Sequence, residues 1–129
     1  MNNIKEIKHP DRPATAQSPY SAGLECDGWI YVSGQGPLDV KTMTIVGESI
    51  EDQTRLTMRN VEAVLQNAGC TLQDVVKCTC YLSSIADFDA FSRVYSEFFP
   101  GIKPTRTTVE ARLWGDMKIE IDAVARSPR

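Results

Sequence analysis

The chain has 129 residues, 42% of them hydrophobic, with fourteen Lys and Arg against seventeen Asp and Glu for a formal charge of −3 at pH 7. That length suits a single domain, 1–129, whose core needs no metal or disulfide staple. The charges are dispersed, which excludes the clustered basic surface that nucleic acid demands, and no apolar run approaches the length of a membrane span.

The opening residues MNNIKEIKHPDRP hold no apolar segment of the kind a signal peptide carries, so a cytoplasmic protein is expected. Residues 3–8 permit a short first strand, which His9-Pro10-Asp11-Arg12-Pro13 breaks. Residues 21–26 and 29–35 read as two strands joined by Asp27-Gly28, a hairpin signal because both central positions tolerate positive φ. At 33–37, Ser-Gly-Gln-Gly-Pro ends the strand and leaves backbone N–H groups free. Residues 42–46 read as a short edge strand. Ser49 is placed as an N-cap taking the Asp52 N–H, with Asp52 as the other half of a capping-box variant. Leu56, Val61, Val64, Leu65 and Ala68 then recur at helical spacing up to Gly69, which predicts one amphipathic helix over 50–68.

Residues 75–82 alternate, Val76, Cys78, Cys80 and Leu82 on one face and Lys77, Thr79 and Tyr81 on the other. Ser84 caps a second helix with an apolar stripe of Phe88, Phe91, Tyr95 and Phe98, stopped by Gly101 and Pro104. From 107 the apolar residues fall at every second position, Val109, Ala111 and Leu113, then Ile119, Ile121, Ala123 and Ala125. The alternation predicts two strands with these residues on the core face, and with Arg106, Thr108, Glu110 and Glu120 on the polar one. A four-residue hairpin at 114–117 would set the two core faces on opposite sides, so either the loop is odd or the strands are not neighbours.

The four cysteines, Cys26, Cys70, Cys78 and Cys80, are expected to be reduced. Strand geometry disfavours bridging Cys78 to Cys80, and the single His9 leaves no zinc ligand set. Two helices against one sheet define an α+β class in which the second sheet face needs cover, which suggests association through the sheets. Taken alone, Arg106 reads as a surface cation, Glu120 as half of a cross-sheet ion pair, and Tyr20 as a half-buried strand aromatic.

Four stretches carry a family resemblance: SPYSAG, VSGQGP, NVEAVLQNAG, and PTRTTVEARL followed by DMKIEIDAVA. Together they resemble the reactive intermediate deaminase family (RidA, formerly YjgF) over nearly the whole chain. The resemblance implies a chorismate-mutase-like mixed sheet with both helices on one face and the last strand inserted between earlier ones. It further implies a barrel-like homotrimer with ligand clefts at subunit boundaries. In that frame Arg106 grips a substrate carboxylate, which its planar, permanently charged fork suits, and Glu120 helps position the water that attacks an imine carbon. Tyr20, Ser33 and Gly34 line the cleft. Ser92 and Thr108 stand where the family commonly has asparagine and cysteine, and Gly36 where an apolar residue is usual, leaving the wall there less filled.

Neither role calls for a metal or organic cofactor, and no nucleic-acid or membrane partner is expected. The implied reaction is hydrolysis of 2-aminoacrylate- and 2-iminopropanoate-type intermediates to 2-oxo acids and ammonia. The rival readings are a non-catalytic module that binds or senses a small 2-oxo acid carboxylate, and a specialised deaminase such as one for 2-aminomuconate. Ribonuclease activity is a weaker third reading, because the chain lacks a basic patch and a histidine placed for catalysis.

Overall fold

The computed structural model describes residues 3–128, and among these the strands are β1 (Ile4–Ile7), β2 (Gly23–Cys26), β3 (Trp29–Gln35), β4 (Leu38–Asp39), β5 (Thr44–Ile45), β6 (Val75–Leu82), β7 (Thr105–Glu110) and β8 (Ile119–Arg126). Helices α1 (Ile50–Asn67) and α2 (Phe88–Glu97) complete the fold. Six strands form one sheet in the order β1-β2-β3-β8-β6-β7, while β4 and β5 make a separate hairpin rather than the sheet edge expected near 42–46. All pairs in the large sheet are antiparallel except β6 with β7. The strand β8 therefore slots between β3 and β6, and the parity conflict disappears because β7 and β8 are not neighbours.

Local chemistry sets the element ends. Asp27 at φ 52° and Gly28 at φ 86° make the β2–β3 turn, the pair of positive φ values that matches strand twist in a tight hairpin. Ser49 Oγ accepts from the Asp52 N–H at 3.0 Å, while the Asp52 carboxylate turns to Arg55 at 4.0 Å. At the other end of α1, Gly69 takes φ 78°, and Cys70 N–H reaches Leu65 O at 2.9 Å. That bond closes a Schellman motif.

Both helices lie on one face of the sheet. There Val61, Val64 and Leu65 of α1 and Phe91, Tyr95 and Phe99 of the α2 region meet Ile30, Val32, Cys78, Cys80, Leu82, Ile119, Ile121, Ala123 and Ala125 in one buried cluster. The other sheet face is bare, and Tyr31 on it is 48% exposed.

Several sequence expectations need correction. The strand at 107–113 ends at Glu110, and its faces are the reverse of those expected: Cys78 pairs with Arg106 and Cys80 with Thr108, so Arg106 and Thr108 turn to the helices while Val109 is 40% exposed on the bare face. The parallel register with β6 overrides the alternation of β7, because Cys78 and Cys80 already point into the core and in-register neighbours share a face. Val76 is exposed because the β6–β8 register slips between Val75 and Lys77, which puts Val75 in the core instead. Phe99 rather than Phe98 completes the aromatic row, and Leu56 is only half-buried.

Helix α1 also buries polar side chains that a hydrophobic stripe cannot reveal. Gln53, 1% exposed, donates to Gly47 O at 3.0 Å and Asp116 O at 3.2 Å and accepts from Lys118 N–H at 2.7 Å. Asn60 donates to Gly36 O at 2.9 Å and Leu38 O at 3.0 Å, and accepts at 3.0 Å from the Nε2–H of His9, whose Nδ1 takes the Asp11 N–H. These two amides pin the 111–118 and 36–40 loops to one helix. Replacing Gln53 by Leu strands three buried backbone groups, each worth about 1 kcal/mol or more when left unpaired. Urea denaturation should show Gln53→Leu destabilised by about 2–4 kcal/mol with an unchanged m-value.

Candidate functional site

Arg106 sits where β7 faces α2. Its guanidinium carbon lies 5.3, 5.0 and 4.9 Å from the ring centres of Phe88, Phe91 and Tyr95, and its Nη2 donates to Ser92 Oγ at 3.1 Å. Helical spacing brings these four residues to one side of α2, so a single helix supplies both an aromatic bed and a hydrogen-bond acceptor. Among the described residues, no carboxylate lies within ion-pair distance of Arg106. On the same strand face, the buried Thr108 hydroxyl has no hydrogen-bond partner. The Tyr95 hydroxyl likewise makes no bond of ordinary geometry, though it lies close enough to the Cys78 thiol for each to affect the other's acidity. A half-buried cation without a counter-ion beside an unpaired hydroxyl is an arrangement that an anionic ligand would complete.

The remaining candidates gather elsewhere. Glu120, on the bare face of β8, shares an open groove of about 780 Å³ with Tyr20, Ser33 and Gly34. Ser33 donates its hydroxyl to Ser21 O at 2.6 Å. Tyr20 is 60% exposed at the groove wall. A Cβ at Gly34 would run into the Glu120 carboxylate, so glycine there is what lets Glu120 lie flat over the β3 backbone. Burial first, and the charge of Asp122 second, push the Glu120 carboxyl above the usual carboxylate range. The predicted site residues thus form two groups on opposite faces of the sheet: Arg106, Ser92 and Thr108 on the helix side, and Tyr20, Ser33, Gly34 and Glu120 on the bare side. Two strands, β8 and β6, separate β3 from β7.

At Gly36 the expected gap is filled, because the Met117 methyl occupies the place of the missing side chain. In the sequence, the aromatic bed under Arg106 looks like core alone. Its signal, aromatics at 88, 91 and 95 opposite a strand bearing an arginine, depends on a pairing that the sequence does not print. Among the described residues no group of His, Cys, Asp and Glu is placed to hold a metal ion.

The six-stranded mixed sheet with both helices on one face and an inserted last strand is the chorismate-mutase-like α+β domain of the RidA/YjgF proteins. The family model described as Endoribonuclease L-PSP matches residues 10–127, and the chain belongs to this family. It is 44% identical over 124 residues to the RutC family protein SSO3206 of Saccharolobus solfataricus, covering 95% of this chain and 98% of that protein. It is 35% identical over 126 residues to TdcF of Escherichia coli K12, named provisionally as a reactive intermediate deaminase, covering 95% and 97% of the two chains. The crystal structure of E. coli TdcF with bound serine superposes with a TM-score of 0.85 at 34% identity, covering 95% of this chain and 98% of that one.

The reversed face of β7 changes what Arg106→Ala should do. Removing a side chain stacked on three rings should cost about 1–2 kcal/mol of stability in chemical denaturation, against less than about 0.5 kcal/mol for a solvated arginine. The thiols give a second expectation. Cys78 and Cys80 are fully buried, and burial raises the pKa of both. In a native thiol-labelling time course both should react only at the rate of unfolding, with half-buried Cys26 reacting first.

Proposed function

We propose that the chain is an enamine/imine deaminase that hydrolyses 2-aminoacrylate- and 2-iminopropanoate-type intermediates to 2-oxo acids and ammonia. The observation that carries this reading is the Arg106 nest, a cation bedded on aromatic rings, tied to Ser92 and without a carboxylate partner among the described residues. A substrate carboxylate meets the free edge of the guanidinium in bidentate fashion, and the Thr108 hydroxyl offers it a further donor. Glu120, with its raised pKa, takes a proton from water as the oxygen adds to the imine carbon. The same carboxyl hands that proton to nitrogen and then relays the hydroxyl proton as the C–N bond breaks, so that both protons of water reach nitrogen and C=N and water become C=O and ammonia. Serine, the molecule bound to TdcF, carries the α-carboxylate and α-nitrogen that such a site recognises.

The two groups of candidate residues lie on opposite faces of one protomer, so the reading requires a second copy to bring its Tyr20, Ser33, Gly34 and Glu120 to this copy's Arg106. The bare face, with Tyr31 and Val109 exposed, supports burial against other copies as a homotrimer. A cytoplasmic setting is part of the proposal and is supported by four free cysteines. Ribonuclease chemistry is disfavoured, because the one histidine is buried with both ring nitrogens engaged.

The test is ammonia release from enzymatically generated 2-aminoacrylate, with sedimentation of the same sample. Saturable turnover by a trimer is expected; binding of 2-oxobutyrate or serine without turnover would instead establish the non-catalytic module. Arg106→Ala should lower kcat/KM by roughly thirty-fold to several-thousand-fold, the equivalent of about 2–5 kcal/mol for one lost partner of a desolvated charge pair, and lysine should restore only part. Activity should fall as pH drops through the raised Glu120 value, since the ionised carboxylate is the base. Glu120→Gln should remove turnover yet raise stability at neutral pH: a carboxyl whose folded pKa lies above its unfolded one stabilises the fold below the unfolded value and loses that contribution as pH rises through the folded one. A neutral amide escapes the loss.

A further inference from the structure

Glu120 has an acidic companion that the proposed reaction does not use. Asp122 follows Glu120 at the two-residue repeat of β8, so both carboxylates leave the same face of the strand. Across the ladder, Tyr81 of β6 stands directly opposite Glu120, and Thr79 opposite Asp122. The Tyr81 hydroxyl nevertheless reaches past its own cross-strand neighbour and donates to Asp122 Oδ2 at 2.9 Å.

Within one protomer no described residue neutralises the two acids; in the assembly proposed above, Arg106 of another copy shares the cleft, and its charge acts on Glu120 in the opposite sense. Among the described residues no Lys, Arg or His nitrogen lies within 4.0 Å of either carboxylate. Lys77 on β6 gives its ammonium to Thr79 Oγ1 at 3.1 Å. Lys118, the residue just before β8, makes no ion pair with Glu120. The groove wall opposite contributes Tyr20, Tyr31 and Ser33 and no basic side chain, and β7 contributes Thr107 and Val109.

We propose that Tyr81 and Asp122 are a positioning pair for Glu120: the tyrosine hydroxyl fixes the Asp122 carboxylate as a stationary negative charge beside Glu120 on the same strand face, where it acts on the proton that Glu120 exchanges. The idea rests on the reading of Glu120 as the proton-transfer group. Hydrolysis asks one carboxyl both to accept a proton from water and to deliver one to nitrogen, and a carboxyl that titrates closer to the working pH performs both steps better than one always ionised. Partial burial first, and the like charge of Asp122 second, push the Glu120 carboxyl up, and the bond to Asp122 raises the Tyr81 pKa, as expected for a donor held by a carboxylate.

The experiment is a carbon-13 carboxyl NMR titration of Glu120 in the intact protein, run beside the pH profile of kcat/KM for imine hydrolysis. Asp122→Asn should move the Glu120 midpoint and the acidic limb of the profile to lower pH. Tyr81→Phe should move both in the same direction but less far, because Asp122 keeps its charge and loses only its anchor. The double variant should match Asp122→Asn alone, the non-additivity expected of residues acting through one another, and Asp122→Glu should return the midpoint toward the parent. An unmoved or raised midpoint in Asp122→Asn overturns the pair; should that variant fail to fold, an unmoved midpoint in Tyr81→Phe does so. A titration that moves as described in a protein that hydrolyses no imine keeps the pair and removes the deaminase reading, whereas turnover with an unmoved titration does the reverse.

Discussion

The structure depends on the seating of β8 between β3 and β6. One strand satisfies two ladders at once, and its strict alternation gives Ile119, Ile121, Ala123 and Ala125 to the core while Glu120 and Asp122 go to the bare face. A slip of one residue would exchange the two sets, placing the two carboxylates under the helices and the four apolar side chains outside. The seating also holds β6 away from β3, and so decides that β7 lands on the far edge in parallel with β6. The position and facing of Arg106 follow from that chain of constraints.

Around this frame, α1 works as a polar anchor as much as an apolar one. Through Gln53 it holds the loop that leads into β8, and through Asn60 the loop that leaves β3, so the two segments flanking Glu120 and Gly34 are fixed from the core side. Helix α2 has a narrower task. Its aromatic row, continued by Phe99 just beyond the helix, fills the core with Phe91, Tyr95 and Phe99, and the same edge makes the surface over which the guanidinium of Arg106 sits.

The parts of this architecture legible in the sequence were those encoded by neighbours along the chain: the Asp27-Gly28 turn, the Ser49 cap, the Gly69 stop, and the alternation of β8. What escaped was set by partners distant in sequence. The pattern 107-109-111-113 is a fair strand signal, yet the facing of β7 comes from its parallel register with Cys78 and Cys80, nearly thirty residues away, and the strand stops at Glu110. Buried Gln53 and Asn60 look like ordinary helix-surface residues until the loops they hold are in place. For the candidate site, motif resemblance named the candidates, while their division between the two faces of the sheet became visible only with the strand order. Met117 filling the space at Gly36 is of the same kind, a contact between two loops that no local pattern announces.

The order in which the elements are translated meets this topology awkwardly. The strand that holds the sheet together is made after all the others described, and its partner β3 lies some ninety residues earlier. Until β8 emerges from the ribosome, β3 and β6 each expose an unpaired edge beside Ile30, Val32, Cys78 and Cys80, the side chains destined for the core. A nascent chain in that condition is a template for strand addition by any extended segment within reach. Closure of the long loop between β3 and β8 then becomes the slow, entropically costly event of folding. The final strand is thus at once the keystone of the native sheet and the reason its precursor is exposed to misassembly.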